Sequence, residues 1–189
     1  MGDSDGPAVV AATQRWVDTM VVGLNLCPFA RRVTDAGRVR YAVTDAAGEE
    51  GLLAALDAEL AALVAAPREA VETTLLIHPR AFPDFLDFND FLHEADRLVR
   101  RRGLTGVVQV VGFHPGFRYA GAAPDAVENY TNRSPYAMLH LLREESITEV
   151  SGDADALAAI PGRNTATLRA LGRAGIVARL AADADERPG

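Results

Sequence analysis

Thr74-Leu75-Leu76-Ile77-His78-Pro79 and Gln109-Val110-Val111-Gly112-Phe113-His114-Pro115 set the architecture of this chain. Each is a short apolar run, rich in β-branched residues and closed by His-Pro. Residues 72–78 and 106–113 are therefore expected to be buried strands. Proline holds its predecessor in an extended backbone and cannot donate to a ladder. Each histidine is then the last residue of its strand. If the two strands run the same way, both imidazoles emerge at the carboxyl edge of the sheet, where open α/β sheets place ligands.

The flanking segments alternate with these strands. Residues 8–22 read as a helix that breaks between Gly23 and Pro28. Val39, Tyr41 and Val43 alternate and predict a strand over 38–44. Residues 49–65 are rich in alanine and leucine and predict a helix ending before Pro67. Residues 84–101 form an amphipathic helix with Phe85, Phe88 and Phe91 inward and His93 on the solvated face. After a long polar loop over 116–133, Ser134 and Pro135 provide an N-cap and first-turn signal for a helix running to about Glu145. A helical turn over 154–159 and a last helix over 163–180 follow. The expected fold is α/β: a small three- to four-stranded, at least partly parallel sheet with flanking helices. It forms one domain over 1–182 with a flexible tail over 183–189.

Composition narrows the function. The net charge of −7 and pI near 5.1 argue against a nucleic-acid binder, which needs a basic face. No apolar run has the length of a membrane span, and the first residues lack the pattern of a signal peptide. The single cysteine, Cys27, excludes an intrachain disulfide and fits a reducing cytoplasm. All 19 basic residues are arginine, so lysine Schiff-base chemistry and covalent pyridoxal phosphate are excluded.

Several side chains carry possible chemistry. His140 and Glu144, four apart on the expected helix, would reach one point. Together with His78 and His114 they make the ligand set of a mononuclear metal site. The plainer alternative is that each histidine only hydrogen-bonds a backbone carbonyl. Arg118, Arg133 and Arg143 could clamp an anionic substrate, with Asn129, Tyr130 and Asn132 nearby, or could instead hold the loop. Cys27 is either a small buried hydrophobe or a nucleophile served by a histidine base.

Taken together, Gly23 to Ala30, Thr74 to Pro79, Asn89 to Leu92, Phe113 to Pro115, Asn129 to Tyr136 and Met138 to Glu144 resemble a bacterial family of domains of unknown function, family 1415. The resemblance spans roughly residues 12–175 and brings no established activity. It implies that Cys27, His78, His114, Asn129, Tyr130, Asn132, Arg133, His140, Arg143 and Glu144 stand at the family's motif positions. Ala137 stands where the family pattern has proline, and Arg118 where it usually has acidic or glutamine-type residues.

The leading expectation is a metal-dependent enzyme, iron or copper before zinc, doing redox or oxygen chemistry on a small anionic molecule. His78, His114, His140 and Glu144 would be ligands, with Glu144 alternatively a base. Tyr130 would donate a hydrogen bond, and Asn129, Asn132, Arg118, Arg133 and Arg143 would hold substrate. One alternative is a metal-free transferase or hydrolase using Cys27 and a histidine. Another is a non-enzymatic protein that binds a small ligand or a metal. No nucleic-acid or membrane partner is expected, and the sequence leaves the oligomeric state open.

Overall fold

The computed structural model describes residues 6–151 and 154–185. Helix α1 (Gly6–Trp16) runs into a π-helical segment over Val17–Val22, and a short helix α2 (Ala30–Asp35) follows. Strand β1 (Val39–Val43), helix α3 (Glu49–Ala65), strand β2 (Thr73–Ile77), helix α4 (Phe85–Arg101) and strand β3 (Val108–Phe113) then alternate. A 3-10 turn over Val127–Thr131 precedes strand β4 (Met138–Arg143), helix α5 (Glu144–Ser151) and helix α6 (Ala154–Asp185), which bends at Gly172.

The four strands make one open sheet in the order β1-β2-β4-β3. β1 and β2 are parallel, and β4 is antiparallel to both its neighbours. β1, β2 and β3 therefore point the same way, with β4 inserted between β2 and β3. This is the α/β, partly parallel sheet expected. Among the described residues, no helix is long and apolar enough to cross a membrane.

Each face of the sheet buries its own layer. Leu76, Leu139, Leu141 and Val108 pack under α3 and α4, against Leu56, Leu60, Phe88 and Phe91. Leu75, Ile77 and Met138 pack on the other face, against Trp16, Val17 and Met20 near α1 and against Leu168 and Ile176 of α6. A strand buried on both faces reads as a continuous apolar run, which is why β2 was legible.

The helix expected over 134–145 is corrected: residues 138–143 are strand β4. Met138, Leu139 and Leu141 are fully buried, alternating between the two layers. That burial outweighs the helical preference of Leu, Met and Arg. Ser134 does not cap a helix; its hydroxyl donates to the Tyr136 carbonyl at 2.5 Å. The helix expected over 8–22 is α-helical only to Trp16, because its second half is π-wound.

Candidate functional site: a cavity beneath α1

At the carboxyl edge, β2 and β3 do bring His78 and His114 together. Both rings contact Phe88, with centroids 5.4 and 5.3 Å from it. Both serve the turn before α4. His78 Nδ1 donates to the Ala81 carbonyl at 3.2 Å, and His114 Nε2 donates to the Phe82 carbonyl at 3.1 Å. His114 Nδ1 is then an acceptor, taken by the Gly116 amide at 2.9 Å. Phe82 sits in the left-handed region at φ 53°, costly for a bulky residue, and its carbonyl is held by His114. Burial pushes His78 down to about 4 and also lowers His114, so both rings are neutral at neutral pH. His114 borders an open cleft of about 510 Å³ that also meets Arg118, Arg133 and Tyr136.

Most of the expected substrate residues hold the polypeptide instead. Asn129 is fully buried; its amide donates to the Ala123 carbonyl at 2.8 Å and its oxygen accepts from the Tyr119 amide at 3.1 Å. Arg133 donates to the carbonyls of Phe117 at 3.0 Å and Pro124 at 2.6 Å and lies 4.8 Å over the Tyr130 ring. The Asn132 carbonyl accepts from the His114 amide at 3.2 Å. Arg143 is buried and closes the end of α3, donating to Leu63 at 2.6 Å, Ala66 at 2.8 Å and Val71 at 3.2 Å. Those carbonyls lie at or just beyond the last turn of the helix, where a cation is also favoured by the dipole. Of the three arginines, Arg118 alone is exposed on the cleft with no partner among the described residues.

His140 lies elsewhere. It pairs with Leu75 and Val111 and faces the α1 layer, opposite His78 and His114. Glu144 begins α5 at the far end of β4, where its amide donates to the Val107 carbonyl. The expected metal ligand set is thus spread over two faces and two ends of the sheet, because β4 is a strand. Among the described residues, no three His, Cys, Asp or Glu side chains gather into a group that could hold an ion.

What His140 meets is a cavity of about 450 Å³ between the sheet, α1 and the segment around α2. Trp16, Leu75, Val111, Phe113 and Leu142 give it largely apolar walls. The polar residues on its wall are Cys27, Arg32, Thr34, Glu72, Thr73, Gln109, His140, Arg143 and Ser146, and Trp16 Nε1 and Thr34 Oγ1 are buried without a partner among the described residues. Thr73 Oγ1 donates to the Leu141 carbonyl at 2.6 Å and lies 2.8 Å from His140 Nε2. The hydroxyl has one proton, already committed, so it must accept from Nε2–H. That fixes the tautomer and leaves Nδ1 a lone-pair acceptor without a partner among the described residues. Burial holds the ring at about 4, hence neutral.

The Cys27 thiol is pushed up by burial, against the pull of the Phe29 and Ala30 amides and the Arg163 charge. Glu72, 2% exposed, is held by Arg38 at 3.3 Å, Arg68 at 2.8 Å and the Ser146 hydroxyl at 2.6 Å. Burial pushes its carboxyl up, but Arg68, Ser146 and the nearby charge of Arg32 outweigh it and the net shift is downward. Thr73, Glu72, Trp16 and Arg32 were missed by sequence reading. The signal available was a lone acidic residue, Glu72, at the mouth of an otherwise apolar strand.

Fold and site together define an open-sheet α/β protein with an apolar internal cavity bordered by one thiol and one neutral imidazole. The chain belongs to the family described as "Protein of unknown function (DUF1415)", whose model matches residues 8–178. No curated protein and no solved structure gave a match to the chain.

Proposed function

We propose that this protein binds a small, mainly apolar organic molecule in the cavity beneath α1. The observation that carries this reading is a volume of about 450 Å³ walled by apolar side chains with several fixed polar groups. Small-molecule sites typically have that size and balance. The metal-dependent reading loses its support because its four proposed ligands do not meet; elemental analysis of the purified protein tests it independently.

The test is titration with N-phenylnaphthylamine, a neutral probe that fluoresces in apolar surroundings. One molecule per chain is expected to bind. Val111→Phe fills the cavity from β3 and is expected to abolish binding while leaving the fold intact. Absence of binding, or equal binding by the variant, would overturn the reading.

A second reading, thiol chemistry, is favoured by the meeting of Cys27 and His140 at one cavity. In it, the Cys27 sulfur attacks an acyl carbon, His140 Nδ1 takes the thiol proton, and the leaving alcohol or thiol receives it. The resulting acyl-thioester is then hydrolysed by water. The raised thiol and the weakly basic imidazole both oppose this in the empty cavity, so ligand binding is the first reading. A burst of nitrophenolate from a short nitrophenyl ester, one per chain and lost in Cys27→Ser, would establish the chemistry. Identical release by wild type and Cys27→Ser would remove it.

A further inference from the structure

We propose that the cavity takes an amphipathic monoanion, with its apolar body between the sheet and Trp16 and its carboxylate at Arg32. This rests on the cavity being the binding site and names the class of its ligand.

Arg32 projects from α2, borders the cavity, and leaves half of its side chain (50%) exposed, so it stands at the mouth. Its nearest carboxylate oxygen is Glu72 Oε1 at 3.9 Å, beyond hydrogen-bonding distance. Glu72 feels its charge but takes no hydrogen bond from it among the described residues. That carboxylate already accepts from Arg38, Arg68 and Ser146, and Arg68 also pairs with Glu149 at 2.6 Å. Among the described residues, three guanidiniums thus share two carboxylates, and Arg32 is the one left without a hydrogen bond. Among the described residues, this leaves an excess positive charge at the rim of an apolar cavity in a chain of net charge −7.

The far wall sets the orientation. His140 is neutral and presents a lone pair, which repels an anion and suits a donor or an apolar group. Thr73 has spent its proton on the Leu141 carbonyl. Elsewhere on the wall a carboxylate would find the His140 lone pair, hydrocarbon and only the uncharged donors of Trp16, Thr34 and Gln109, because Arg143 is committed to the Leu63, Ala66 and Val71 carbonyls. At the mouth it meets Arg32, which can offer two parallel N–H groups. Arg163 of α6, whose charge reaches Cys27, adds to the positive potential on that side. An alkylammonium of the same shape would be repelled there.

The test displaces N-phenylnaphthylamine with octanoate, octanol and octylamine in wild type, Arg32→Gln and the control Arg100→Gln. Arg100 is exposed on α4, across the sheet. Octanoate is expected to bind about tenfold more tightly than octanol, the effect of one charge-assisted contact. That preference is expected to vanish in Arg32→Gln and persist in Arg100→Gln. Octanol equal to octanoate in wild type, or a preference that survives Arg32→Gln, would overturn the inference while the cavity reading stands. Failure of the probe itself to bind would remove both.

Discussion

His78 and His140 are the residues through which acidity reaches the fold. An unfolded imidazole ionises near 6.5, whereas burial holds these two at about 4. Between those values the unfolded chain binds more protons, so stability is full above about pH 6.5 and falls as pH drops toward 4. The loss is expected to be on the order of a few kcal/mol. Glu72, held low by its guanidinium and hydroxyl partners, adds a loss of the same sign at still lower pH. Urea midpoints measured from pH 7.5 to 4.5 check this, and a flat profile would contradict it. At the same scale, Arg143→Met leaves the Leu63, Ala66 and Val71 carbonyls without their donor and is expected to cost about 3 kcal/mol in urea unfolding. A neutral effect would mean that Arg143 is available to a ligand after all.

Helices and strands were legible where one pattern dominated. The Phe85, Phe88 and Phe91 stripe announced α4, and Asp84 caps it by accepting from the Leu86 amide at 2.7 Å. His78-Pro79 and His114-Pro115 marked two strand ends to within one residue, since β2 stops at Ile77 and β3 at Phe113, and the strands do share a direction. β4 was misread because Ser134-Pro135 and a Leu-rich run are local helix signals, whereas the gap between β2 and β3 is a tertiary fact. Moving His140 from a helix face to the α1 face of the sheet separated the expected ligands and revealed the cavity. Burial between layers also makes β3 sensitive to added volume. A Cβ on Gly112 would lie 2.9 Å from both Leu92 Cδ1 and Phe88 Cε1 of α4. Gly112→Ala is therefore expected to destabilise by about 1–3 kcal/mol in thermal or urea unfolding; no loss would show that α4 packs less tightly on β3.

At the scale of the whole molecule, the sheet divides labour between its faces. The α3–α4 side is filled with hydrocarbon, and its edge histidines hold the turn into α4. The α1 side keeps an apolar space, bordered by Cys27, His140 and, at its mouth, Arg32. Cys27 is the only thiol in the chain and lies in the cavity wall, which makes it a local reporter of occupancy. The rate of its alkylation by iodoacetamide, followed by intact mass, tests the binding site directly. Saturating N-phenylnaphthylamine is expected to slow labelling of the wild type about tenfold or more, as occlusion by a bound molecule requires, and to leave the rate in Val111→Phe unchanged. Equal labelling of wild-type Cys27 with and without the probe would contradict the account.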